Sequence, residues 1–194
     1  TICRQAQANA ESQNTYLTKR LNVWVSVGTA YFNMLSWDNR CKDESLRPEQ
    51  FYGKPAMITL DLASKRDLTA KITVFEGSGE YYVFGKYYLP TDAIEVGKPN
   101  YDFYRGWAKD GWLTLTEGDM TDYEYVERDL LADMGTVRPE RVGIDPGYNA
   151  GQFTTRMMNA GVPMEEVTHN VMTFSEPMKQ LDALIVAGKI HHNG

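Results

Sequence analysis

Two short stretches, Ala56-Met57-Ile58-Thr59-Leu60-Asp61 and Arg141-Val142-Gly143-Ile144-Asp145, decide how this chain is read. Each is brief, mostly apolar, and ends on an aspartate followed by a turn or a helix start. Short apolar runs of this kind read as strands buried inside a sheet. In α/β sheets ligands bind beyond the carboxyl ends of the strands. A carboxylate placed there has two ordinary uses: it caps the turn or helix that follows, or it is desolvated and needs a partner, of which a divalent cation is one. Either use fits Asp61 or Asp145 alone. Converging at adjacent strand ends, the two would begin a magnesium site suited to phosphoryl chemistry.

Working outward, Thr69 to Phe75 and Tyr81 to Tyr88 are rich in β-branched and aromatic residues and flank Glu76-Gly77-Ser78-Gly79-Glu80, a hairpin signal. With Ala56–Asp61 they predict a three-strand meander. Beyond it the pattern predicts a helix over 99–110, a strand over 112–116 and a helix over 122–134 ending at Gly135. A strand over 141–145, a helix over 150–160, a strand over 167–171 and a helix over 177–187 with Pro177 near its start follow. Residues 1–20 read as a polar helix, Leu21-Asn22-Val23-Trp24-Val25 as a short apolar segment, residues 29–42 as a second helix, and Ser45 to Pro55 as a connector. The fold class is α/β: a mixed sheet, the meander plus parallel strands, flanked by helices.

Composition narrows the possibilities. With 194 residues the chain has the size of one domain, and 42% hydrophobic with 24% charged residues excludes wholesale disorder. No apolar run of about 18 residues is present to span a membrane, and the start, Thr1-Ile2-Cys3-Arg4, has no apolar leader stretch. Cys3 and Cys41 make neither a disulfide framework nor a zinc site, and a reducing cytoplasm is the expected compartment. A net charge of −6 excludes a protein that grips nucleic acid with its whole surface. It does not exclude a nuclease whose acidic site is neutralised by metal ions.

Leu60-Asp61-Leu62-Ala63-Ser64-Lys65-Arg66-Asp67-Leu68-Thr69-Ala70 resembles the first nuclease motif of the large terminase subunit of tailed bacteriophages, in the group with an HK97-like terminase. Gly143-Ile144-Asp145-Pro146-Gly147-Tyr148-Asn149 is similar to that family's second acidic motif. Leu21-Asn22-Val23-Trp24 resembles its link between ATPase and nuclease domains, and Gly188 to Gly194 its late His- and Gly-containing strand. The resemblance implies an RNase H-like nuclease that cuts concatemeric double-stranded DNA by two-metal hydrolysis. It implies Asp61 as the ligand shared by two Mg2+ or Mn2+ ions, Asp145 as the second acid, and Asp67 as a further ligand or positioning acid, whose alternative is a turn acid. Lys65 and Arg66 would meet DNA phosphates, or else form a solvated turn.

The resemblance also implies partners: the ATPase domain of the same protein, the small terminase subunit and the portal, in the cytoplasm of a bacterial host and with no membrane. Residues 1–50 are then expected to be a helical linker adjoining an absent ATPase domain, since no Gly-x-x-x-x-Gly-Lys-Ser/Thr loop occurs. Residues 51–194 would be the nuclease domain, truncated before the family's third acid and so weakly active or inactive alone. Two other readings exist. Gly143-Ile144-Asp145-Pro146-Gly147 also looks like the opening motif of Holliday-junction resolvases, although here it follows another acidic strand. A non-catalytic docking module would use both acids as caps. Tyr101, Tyr104, Trp107 and Trp112 read as core at helical spacing rather than as a stacking platform. His169 reads as a partly buried histidine, and His191 and His192 as a solvated chain end.

Overall fold

Along Ala56–Asp61 every second side chain is buried: Ala56, Ile58 and Leu60 point inward, Met57, Thr59 and Asp61 outward. This strand, β1, therefore lays an apolar row against the core and leaves Met57, Thr59 and Asp61 on the opposite, exposed face. The computed structural model describes residues 31–63, 66–95, 100–147 and 150–194. They belong to two compact units, Leu46–Asn170 on one hand and Thr1–Ser45 with Val171–Gly194 on the other.

In the Leu46–Asn170 unit, β1 continues into β2 (Thr69–Gly77) and β3 (Glu80–Pro90) as an antiparallel meander. Gly77 pairs with Glu80, leaving Ser78 and Gly79 as a two-residue turn with φ of 57° and 77°. Positive φ at both central residues gives the turn whose twist matches that of the strands. Then follow α1 (Tyr101–Lys109), β4 (Leu113–Thr116), α2 (Tyr123–Thr136), β5 (Arg141–Ile144), α3 (Ala150–Asn159) and β6 (Met164–Glu166). The strand order is β4-β3-β2-β1-β5-β6, with β4 parallel to β3, β5 to β1 and β6 to β5. This is the expected mixed sheet, antiparallel through the meander and parallel on either side of it.

One face of the sheet is the core. Val126 and Leu130 of α2 and Phe153 and Met157 of α3 pack on Ile58, Leu60, Tyr88, Val142 and Ile144. Each such apolar side chain, fully buried, contributes roughly 1.5–3 kcal/mol. A second cluster joins Leu46, Phe51, Phe75, Phe84 and Val137. The connector thus does more than link: its helical turn Pro48–Phe51 delivers the Phe51 ring to 5.6 Å from that of Phe75. α2 begins where Asp122 accepts a hydrogen bond from the Glu124 N–H at 2.9 Å. Asp122→Ala leaves that donor without its cap and should cost about 1 kcal/mol of stability, read as a shifted urea midpoint with unchanged slope.

Polar groups also sit on this face. Lys71 of β2 is buried and ion-paired with Asp133 of α2. The Lys86 Nζ lies 2.5 Å from the Asp129 carboxylate, which also accepts the Tyr88 hydroxyl at 2.7 Å. Burial raises the Asp129 carboxyl, but Lys86 and Tyr88 outweigh it and hold the group below its ordinary value. Burial, then Asp129, push the Tyr88 phenol up.

Several details differ from the expectations. β6 ends at Glu166, short of the expected strand over 167–171, and the Val167 N–H just beyond it donates to the Ile144 carbonyl at 2.8 Å. The β-branched Val167 and Thr168 favour a strand, yet the β5–β6 register ends at Ile144 and Glu166. α2 runs through Gly135 to Thr136. No residue of α1 is buried, and Trp107 is 44% and Trp112 39% exposed, so the aromatic residues at 101–112 are not core. α1 packs on the edge strand β4, which offers a narrow surface, while α2 and α3 fill the broad one.

In the other unit a helical turn, Met34–Ser36, passes into a wider turn, Trp37–Cys41, and the chain later forms α4 (Val171–Ala187) and β7 (Ile190–His192). α4 starts six residues ahead of Pro177, which lies inside it; the Ser175 hydroxyl donates to the Val171 carbonyl in the turn before the proline. His192 is buried rather than solvated: its ring stacks on Trp37 at 4.1 Å. Its Nδ1 accepts from the Gly194 N–H at 3.2 Å, which leaves Nε2 to donate to the Trp37 carbonyl at 3.3 Å. The expected helix over 1–20, the apolar segment 21–25, the start of the helix over 29–42, and Lys65 lie outside the described residues.

Candidate metal centre

β1 and β5 run parallel in the register Met57–Arg141, Ile58–Val142, Thr59–Gly143 and Leu60–Ile144. The next residue of each strand is an aspartate, so Asp61 and Asp145 end neighbouring strands about 4.8 Å apart at the same level. Ile58, Leu60, Val142 and Ile144 face the core, so the alternation assigns Asp61 and Asp145 to the opposite face. Asp61 is exposed and the Asp145 side chain is 37% exposed. Neither carboxylate is sealed from water, and both stand where a ligand approaching the strand ends would meet them.

Local contacts hold this edge. The Ala63 N–H, just past Asp61, donates to the Thr69 hydroxyl at 3.0 Å, and the Ala63 carbonyl accepts from the Tyr123 hydroxyl. The chain leaving β1 is therefore tied to both β2 and α2. At Gly143 an added Cβ would stand 3.3 Å from Val167 and 3.6 Å from Thr59. A glycine there lets Val167 settle beside the β1–β5 pair. His169 follows two residues later, and its Nδ1 lies 3.2 Å from Asp145 Oδ2.

The other candidates lie in the loop between β1 and β2. The Asp67 carboxylate is exposed and accepts the Leu68 N–H at 2.8 Å, a turn contact that uses one of its two oxygens. Arg66 Nη1 lies 2.9 Å from Glu95 Oε1, both side chains exposed; exposed pairs of this kind are weak, and a phosphate can compete for the guanidinium.

Two adjacent carboxylates are hard oxygen donors that fit Mg2+ or Mn2+ with water completing the shell. Among the described residues no group of three or more His, Cys, Asp or Glu side chains converges as a metal site. His169 was not visible as a site residue. Its signal lay in strand order: a histidine three residues after β6, a strand that flanks the acidic end of β5, reaches Asp145 once the register is known. It was expected to be partly buried and is exposed, with 46% of its side chain accessible.

A family profile described as the terminase large subunit, endonuclease domain, matches residues 2–194. Protein YmfN of Escherichia coli K12 is 32% identical over 201 residues, 98% of this chain and 44% of that protein. The large subunit of the terminase of Enterobacteria phage HK97 is 24% identical over 185 residues, 93% of this chain and 35% of that protein. The chain thus spans less than half the length of these relatives. The crystal structure of the HK97 large terminase superposes with a TM-score of 0.67 at 21% identity, covering 99% of this chain and 40% of that one, a likeness of fold.

Proposed function

Because this chain belongs to the family of terminase large-subunit endonuclease domains, we propose that it hydrolyses phosphodiester bonds of double-stranded DNA at Asp61 and Asp145, with divalent metal. The observation that supports this reading is the parallel register that ends β1 and β5 on side-by-side aspartates. Asp61 and Asp145 would hold Mg2+ or Mn2+, with Asp67 as a further ligand or positioning acid. Bound there, the metal supplies Lewis-acid charge at the phosphate and an activated water. The chain's own part is to present two fixed anionic groups at an open strand edge, with β1 and β5 fixing their spacing and the Ala63 contacts fixing the exit from β1. Lys65 and Arg66, in the loop that follows Asp61, would contact backbone phosphates. Such contacts carry no base information, so cutting would show little sequence preference.

On this reading the domain works within a DNA-packaging motor in the bacterial cytoplasm. An ATPase domain of the same protein, the small terminase subunit and the portal would be its partners, and residues 1–50 the linker. A second ion needs a third acid from elsewhere in the protein. No helix among the described residues is long and apolar enough to cross a membrane. The test is plasmid nicking with Mn2+, Mg2+ or EDTA, alongside Mn2+ calorimetry. Nicking with Mn2+ that EDTA abolishes is the expected result. Absence of both cleavage and Mn2+ binding would leave a non-catalytic docking module.

A further inference from the structure

Strand order places three side chains in a row at one sheet edge. Asp61 ends β1, Asp145 ends β5 and His169 follows β6, with β5 in the middle. His169 meets Asp145 through its Nδ1, 3.2 Å from Oδ2. We propose that His169 is a positioning residue for the metal centre: its Nδ1–H holds one oxygen of Asp145 and leaves the other turned to the ion. The proposal rests on the reading of Asp61 and Asp145 as metal ligands.

Two observations support it. The contact is Nδ1 to Asp145 Oδ2 at 3.2 Å, and a carboxylate oxygen only accepts, so a hydrogen bond there needs the hydrogen on Nδ1. The backbone that delivers His169 is fixed by the Val167 N–H bond to the Ile144 carbonyl at 2.8 Å and by the close fit of Val167 at Gly143. His169 contacts the carboxylate of Asp145, which assigns it to that acid. A carboxylate at an open strand end with no second contact would sample several rotamers, and each ion bound would have to select one. A donor on its outer oxygen removes that cost. Outer contacts of this kind are worth about 10–100-fold in metal affinity.

The test measures Mn2+ affinity of the whole chain by calorimetry for wild type, His169→Ala, His169→Asn, His169→Gln and Asp145→Asn. The Asn amide nitrogen falls near the position of Nδ1, whereas that of Gln falls near Nε2. His169→Ala and His169→Gln should weaken Mn2+ binding roughly tenfold or more, and His169→Asn should restore most of the affinity. The number of ions bound should not change. Wild-type affinity in His169→Ala overturns the proposal while leaving the metal site intact. Equal loss in His169→Ala and His169→Asn overturns it in favour of the imidazole as a direct ligand. If Asp145→Asn binds Mn2+ like wild type, the underlying metal reading fails and this proposal falls with it.

Discussion

Asp61→Asn and Asp145→Asn should each lower metal-dependent plasmid nicking by about a thousandfold. Charge stabilisation by a bound divalent ion is worth several kcal/mol at a phosphoryl transition state, and each 1.36 kcal/mol is a factor of about ten in rate. Either change removes half of the anionic donor set, so little of that term survives in either variant. The double variant should be scarcely worse than either single one, because the two acids act as a unit. Folding gives the complementary sign. Without metal, two carboxylates at adjacent strand ends repel, so each Asn variant should melt at or slightly above wild type in EDTA. The rise in melting temperature that Mn2+ gives wild type by binding the folded state should vanish in both. Were the aspartates only caps, the Asn variants would keep their response to Mn2+ and lose some stability in EDTA. The two accounts thus differ in sign as well as in size.

How much of this was legible before the structure follows from which signals are local. Short apolar runs closed by acids were enough to place β1 and β5 and their aspartates, because a strand buried on one face has few registers that keep Ile58, Leu60, Val142 and Ile144 inside. The β2–β3 hairpin was legible through Ser78-Gly79, where positive φ is needed. Three things were not. Val167 and Thr168 have strand propensity, but whether they pair depends on where β5 ends. The helical spacing of Tyr101, Tyr104 and Trp107 marks a stripe, but whether the stripe is covered depends on which strand α1 crosses. His169 becomes a site residue only through a partner on another strand. In each case the missing information was tertiary, since propensity states what a segment favours and not what stands opposite it.

The largest stability effect also comes from such a tertiary fact. Asp133→Ala should destabilise the domain by about 3–5 kcal/mol, and the pair Lys71→Met with Asp133→Leu should be close to neutral or more stable than wild type. Lys71 alternates with Thr69, Thr73 and Phe75 on the buried face of β2, and its side chain is 7% exposed and faces α2. It pairs in register with Leu60 on one side and Lys86 on the other, so two ammonium groups lie directly across adjacent strands, an arrangement that is unfavourable by itself. α2 answers with Asp129 and Asp133 one turn apart on the same face, the first on Lys86 and the second on Lys71. Removing Asp133 strands a buried charge beside a like one, whereas removing both partners with apolar replacements avoids the desolvation of either. Urea unfolding of Lys71→Met, Asp133→Leu and the variant carrying both measures the coupling, with Asp133→Ala measured beside them. A double variant as unstable as Asp133→Ala would show that the site needs an ion pair and not merely filled volume, and would overturn the prediction.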